Sequence, residues 1–381
     1  MKVTLAVNGR FHAFDLANQL QKRHFLQRLI TTYPKFKALE WGIDKRKLKS
    51  LVSLELLKRS RRRCPARWHH FVTVFQKEWF DKRVARNIPK NTDIFIGWSS
   101  NCLHSIRRAK QKGIITILQR GSSHMLTQQK ILAEEYGAYG IKTRPTPSFI
   151  VEKELQEYQE ADYIEVPSSF AYESFLDHGI TEEKMIKGFR GVDLSHFQQI
   201  KKEDSIFRVI YAGMLSIQKG SHYLLQAVKE LNLPEFEFWH LGRVADEMID
   251  FLRIYKSKNI ILKGHKTQKE LYKYYSQGSV FVMPSIQEGL AMVQVQAMAC
   301  GLPLICTTNT GGEDLIDEGV SGFVIPIRDV EAIKEKILYL YEHPNLCSEM
   351  GQAAKEKVKH NFTWDHYGRK IFEEYRRVLG N

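Results

Sequence analysis

The sequence predicts an α/β protein made of two doubly wound parallel sheets that face each other across a cleft. Three observations predict it. Short apolar runs alternate with longer helical stretches along the chain: "KVTLAV", "DIFIGW", "IITILQ" and "DYIEVP" in the first half, then "FRVIYA", "FEFWHLG", "NIILKG", "SVFVMP", "LPLICTT" and "GFVIP" in the second. Such runs, spaced by crossover lengths, make parallel sheets covered by helices. Each half also opens on a strand that runs into glycine, "LAVNGR" and later "IYAGML", as the first turn of a doubly wound sheet does. The third observation is size: 381 residues, 43% of them hydrophobic, are enough for two or three domains with sizeable cores.

Taken in order, residues 1–200 make the first Rossmann-like domain, and the polar segment "QQIKKEDS" (198–205) reads as the linker. Residues 206–360 make the second domain. The closing residues 361–381 are helical, with Phe362, Tyr367, Ile371, Phe372, Tyr375 and Leu379 spaced to form one apolar face able to pack back on the first domain.

Bulk chemistry narrows the class. The start "MKVTLAVNGRFH" lacks the regions of a signal peptide, and no apolar run is long enough to span a bilayer. Five cysteines without a CxxC pair read as reduced thiols in a cytosolic protein. A net charge of +14 calls for an anionic partner. Ten Lys/Arg against one acid fall between Lys45 and His70, interleaved with leucines. Residues 45–67 therefore read either as a basic amphipathic helix for an anionic membrane surface or as a solvated helix whose apolar side faces the core. No recognition motif accompanies the charge, so nucleic acid is not expected.

The second half carries the chemistry. Ligands of parallel sheets collect at the carboxyl ends of strands, and "SVFVMP" is followed by the turn "SIQEG" and a helix. The N–H groups of Leu290, Ala291 and Met292 at its start suit a phosphate or diphosphate. Gly289 leaves room for a ligand, and Glu288 can accept hydrogen bonds from a polyol. Gln296 lies two turns further on, roughly 12 Å along the axis. A nucleoside diphosphate sugar is long enough to be held at both points. Glu288 as a plain helix-start charge and Gln296 as a buried polar group fit the same spacing.

This stretch resembles the donor-site signature of the family 4 retaining glycosyltransferases, E-G-x-(G/A)-x-x-x-x-E-A-M-A-x-G-x-P. The chain matches it with Glu288, Gly289, Ala291, Ala297, Met298, Ala299, Gly301 and Pro303. "TTNTGGEDLIDEGVSGFVIPIRD" continues the pattern, and "EADYIEVPSS" and "GVDLSHF" resemble the end of the family's first lobe. The resemblance implies the GT-B fold, with Glu288 on the donor sugar and Gln296 where a second acid usually holds the ribose. "YAGMLSIQKG" resembles the family's G-R-L-x-x-x-K-G segment. Gly213 and Lys219 match it, while Met214 stands at the usual arginine position. Lys219 then becomes the main phosphate cation, and Arg243 is either a substitute for the missing arginine or an exposed side chain.

In the facing lobe Gly9 and Arg10 border the expected diphosphate, and His12 either faces the acceptor or caps local structure. The cluster Arg120, Ser122, Ser123 and His124 leaves the strand "IITILQ" directly. Family members carry a histidine near this exit. His124 is thus the candidate for contact with the transferred sugar, Arg120 for acceptor or phosphate binding, and Ser122 and Ser123 for the acceptor. Glu134 and Glu135 on the next helix read as surface or acceptor-side acids. No Asp-x-Asp occurs and no His/Cys/acid spacing fits a metal, so neither metal nor cofactor is expected.

The expected reaction moves a sugar from a nucleotide sugar to a saccharide or lipid-linked acceptor, with retention. Two rivals are a sugar-nucleotide epimerase or hydrolase of the same fold, and a catalytically weak sugar-nucleotide-binding subunit. A dehydrogenase has only the doubly wound sheet in its favour, since no G-x-G-x-x-G follows either first strand.

Overall fold

The computed structural model describes residues 1–53, 69–142 and 146–380. It contains two parallel sheets. The first runs β3-β2-β1-β4-β5-β6-β7, from strands Val3–Val7 (β1), Leu26–Thr31 (β2), Leu48–Ser50 (β3), Ile94–Trp98 (β4), Ile115–Gln119 (β5), Tyr163–Val166 (β6) and Met185–Lys187 (β7). The second runs β10-β9-β8-β11-β12-β13, from Phe207–Ala212 (β8), Phe236–Leu241 (β9), Ile260–Leu262 (β10), Val280–Met283 (β11), Leu304–Thr307 (β12) and Gly322–Ile325 (β13). In both, the first strand of the lobe lies inside the sheet and the order reverses there, which places a crevice at the strands' carboxyl ends. β1, β4, β8 and β11 are buried along their whole length, as strands covered by helices on both faces must be.

The basic stretch differs from its expectation at the near end. Leu48–Ser50 is an edge strand paired with Leu29–Thr31, not the start of an amphipathic helix. Leu48 is buried there while Lys49 points to solvent, the usual device that keeps an edge from pairing further. Residues 54–68, with most of the leucines and Arg61, Arg62 and Arg63, lie outside the described residues.

The chain crosses between lobes earlier than its composition suggests. Val192 is bridged to Thr363, its N–H donating to the Phe362 carbonyl at 2.8 Å. The two crossings therefore run side by side. The polar segment 198–205 is second-lobe surface: Ile200 N–H donates to Ser276 and Glu203 N–H to Gln277. The closing helix Trp364–Val378 packs back on the first lobe, where Tyr367, Ile371, Phe372 and Tyr375 join the apolar cluster of β1, β2 and β4. Phe362 remains with the second core. Each fully buried aromatic contributes about 1.5–3 kcal/mol, so the helix ties the second lobe's end firmly to the first.

Candidate active site

β8 and β11 are neighbours in the centre of the second sheet, so their exits lie side by side. The turn after β8 ends at Gly220, whose φ is +58°. A Cβ there would collide with the Pro284 carbonyl just beyond β11, so only glycine lets the two exits lie flush. The Ile286 N–H donates to the Gln218 carbonyl at 3.0 Å and locks the turn in place. Lys219 is thereby delivered onto Glu288, and the ammonium touches the carboxylate. Both side chains keep some access to solvent, 25% for Lys219 and 14% for Glu288. Burial draws the Lys219 ammonium down to about 8.

The helix that follows, Met292–Ala299, is entered through Ala291 in extended conformation. The Glu288 N–H is taken by the Asn309 carbonyl at 2.9 Å. Those of Leu290 and Ala291 have no acceptor among the described residues. These amides and the helix's positive end lie next to Lys219, an arrangement that suits an anion. Further along, Gln296 is 7% exposed and its Oε1 has no donor. A buried carbonyl left unpaired costs about 1–3 kcal/mol, a deficit that a ligand hydroxyl would remove.

The two lobes touch at this point. A Cβ on Gly289 would run into the carbonyl of Gly121 and the Cα of Ser122. Gly289 is thus required by the approach of first-lobe backbone, rather than by a ligand as its place in the motif suggests. Ser168 Oγ donates to the Gly289 carbonyl at 2.5 Å. Gln287 Nε2 donates to Ser122 Oγ at 2.7 Å and to Ser123 Oγ at 3.0 Å. Ser122 and Ser123 are therefore interlobe contacts, not free acceptor ligands. Glu135 is fully buried between the lobes, bonded to His222 at 3.1 Å, Tyr223 at 3.0 Å and Arg328 at 2.6 Å. That corrects its reading as a surface acid. Ser169 and Asp314 add a further bond at 2.6 Å.

Other expected ligands are committed elsewhere. Arg120 is buried and paired with Glu154 at 3.2 Å, with Nη2 donating to Gln128 at 2.6 Å. A guanidinium so enclosed is part of the first lobe's interior. The His124 ring stacks on His178 at 4.0 Å and packs on Tyr158 and Phe175. Its Nδ1 accepts from Leu126 N–H, and its own N–H donates to Ser174. Burial, then His178 and Arg120, draw it down to about 3. It is a neutral helix cap whose Nδ1 and backbone amide are already taken. Arg10 lies 4.0 Å over the Trp41 ring. Gly9, at φ +112°, makes the tight turn after β1. His12 sits over Gln119 at 3.3 Å and keeps to the cleft wall. Gly213 ends β8, Met214 is exposed, and Arg243 is exposed at the exit of β9. The Arg243 side chain has no partner among the described residues.

Gln287, Asn309 and Asp314 were not singled out from the sequence. Asn309 and Asp314 stand in the glycine-rich turn after "LPLICTT"; Asn309 is marked only by its bonds to Ile286 and Glu288, and Asp314 only by its bond to Ser169 of the first lobe.

Two doubly wound lobes, a helix mouth with free amides and a lysine–glutamate pair define a two-lobed protein of the GT-B fold class. Comparison with known proteins agrees. Residues 193–357 match the family described as glycosyl transferases group 1. An uncharacterised glycosyltransferase of Methanocaldococcus jannaschii is 30% identical over 168 residues, 43% of this chain and 47% of that protein. The capsular polysaccharide biosynthesis glycosyltransferase CapM of Staphylococcus aureus is 26% identical, over 53% of this chain and 58% of its own. The chain thus spans about half the length of these curated relatives. Over its whole length it shares the fold of sucrose-phosphate synthase from Thermosynechococcus elongatus (TM-score 0.72, 16% identity, 100% and 99% of the two chains). The same holds for Anabaena HepE, solved in complex with UDP (TM-score 0.70, 13% identity, 99% and 100%).

Proposed function

We propose that the protein is a retaining glycosyltransferase. It moves a sugar from a nucleoside diphosphate sugar to a hydroxyl of a saccharide or lipid-linked acceptor in surface polysaccharide or glycoconjugate synthesis. One observation carries the reading: Lys219 and the free amides of Leu290 and Ala291 converge beside Glu288 at two neighbouring strand exits. A cation and bare N–H groups stabilise the charge that develops on a departing diphosphate, Glu288 accepts from sugar hydroxyls, and Gln296 accepts from the ribose. Kinship of the second lobe with a glycosyltransferase family, and the UDP and UDP-glucose complexes of HepE, support a nucleotide-sugar donor.

In this reaction the bond between the anomeric carbon and the phosphate oxygen breaks. The acceptor oxygen bonds to that carbon from the same face, and its proton passes to the leaving phosphate. Lys219 and the amides do the electrostatic work, so we assign no metal or other cofactor to the step. Incubation with a panel of nucleotide sugars tests the reading. A glycoside with the donor's anomeric configuration should form, at a rate unchanged by EDTA. An inverted product sinks the retaining mechanism, loss of rate with EDTA sinks metal independence, and equal donor consumption without acceptor points to a hydrolase.

We further assign the protein to the cytoplasmic membrane face, with the basic segment 45–67 on anionic lipid. Among the described residues no helix is long and apolar enough to cross a membrane. Each cation near an anionic surface adds about 1 kcal/mol. Reversal of Arg61, Arg62 and Arg63 to glutamate should therefore release the protein from phosphatidylserine vesicles at 0.1 M salt. Binding that survives the reversal removes the membrane role.

A further inference from the structure

Close to the point where the lobes touch, the first lobe carries a cation with no hydrogen-bonded partner among the described residues. Arg190 follows β7 and is half-buried in the first lobe. Its Nη2 lies 3.1 Å from where a Cβ on Gly121 would stand, and the Gly121 carbonyl is what abuts Gly289 at the helix mouth. The exits of β1, β5 and β7 therefore converge here through His12, Gly121 and Arg190. Among the described residues Arg190 makes no hydrogen bond or ion pair.

The one acid that acts on Arg190 is already engaged by other donors. Glu165, the acid beside Arg190, already accepts from Tyr367 at 3.0 Å and from Tyr375 at 2.9 Å, and burial favours its neutral form. The His12 ring is held neutral, first by burial and then by the Arg190 charge. The indole N–H of Trp98, whose ring is 5.2 Å from that of His12, is buried without an acceptor. A desolvated guanidinium without a partner is unfavourable in the empty protein, and its planar fork fits phosphate or carboxylate oxygens in pairs.

We propose that Arg190 is a substrate-recognition residue that pairs with an oxyanion, phosphate or carboxylate, brought into the interlobe cleft. The inference rests on the transferase reading and deepens it. The oxyanion comes either from the donor diphosphate, where Arg190 offsets the cation absent at Met214, or from an acidic acceptor sugar.

Thermal shifts and calorimetry of wild type, Arg190→Met and Lys219→Ala with UDP, inorganic pyrophosphate and glucuronate decide between them, with uridine and glucose as uncharged controls. Arg190→Met should unfold at or above the wild-type temperature, because an uncompensated charge is gone. It should also lose about 10–100-fold in affinity for an anion, as expected for a charged hydrogen-bonded pair. Loss confined to UDP and pyrophosphate assigns the donor diphosphate, and loss confined to glucuronate assigns an acidic acceptor. Arg190→Met that binds all three anions within twofold of wild type overturns the proposal. So does a lowered unfolding temperature with equal losses for the uncharged controls, which marks a merely structural arginine. If wild type and Lys219→Ala alike fail to respond to UDP, the transferase reading falls and takes this inference with it. A UDP-responsive wild type matched by Arg190→Met sinks the inference alone.

Discussion

Lys219→Ala is expected to lower turnover by about 10²–10³-fold, the effect of removing one preorganised donor from a developing anion. The lysine is delivered by a turn that Gly220 and the Gln218–Ile286 bond hold against β11, so no other side chain can take its place without rebuilding that turn. Removing it also leaves Glu288 without its counter-charge in a partly buried position, which weakens the grip on the donor. Lys219→Arg keeps the charge and should recover part of the loss. Steady-state kinetics with a saturating acceptor measure both, with circular dichroism as the check on folding. Turnover within threefold of wild type for the alanine variant would remove Lys219 from the mechanism.

Gly289→Ala is expected to cost about 10²-fold in turnover, the scale on which small misplacements of reacting groups are felt. The added methyl meets backbone of Gly121 and Ser122, not the flexible end of a side chain, so relief requires the lobes to move apart. Their other bonds, through Glu135, Ser169 and Gln287, oppose that movement. The strain falls between lobes rather than inside either core. Donor binding to the second lobe should consequently change by less than about threefold while catalysis drops, a loss in kcat without a matching loss in KM. A variant as fast as wild type would show that closed contact at 121–122 has no part in the reaction.

All six strands of the second sheet coincide with apolar runs legible in the sequence, as do β1, β4, β5 and β6 of the first. β2 is harder to read because Gln27 and Arg28 interrupt it, and both are half-exposed in the fold. β3 and β7 are three residues long and carry lysines. Segments so short become strands only because a partner already offers its edge. The site divides in the same way. Glu288, Gly289, Gln296 and Lys219 stand in linear motifs, and the resemblance of those motifs to a family signature, rather than their spacing, marked them. Arg120 and His124 looked equally placed for a ligand, but Glu154 takes the first and the His178–Phe175 side of the lobe takes the second.

By itself the sequence determined the α/β class, the two-lobed plan and the strand exit at which the candidate site stands. These rest on local rules, apolar runs, glycine turns and helix starts, which act over a few residues. Only the tertiary structure decided that Lys219 meets Glu288, that Gly289 serves the closed lobes, and that Arg190 comes to lie beside Gly121 without a hydrogen-bonded partner among the described residues. Each of those depends on which strands become neighbours and on how two sheets close over one another, and such contacts join residues that chain distance leaves unrelated.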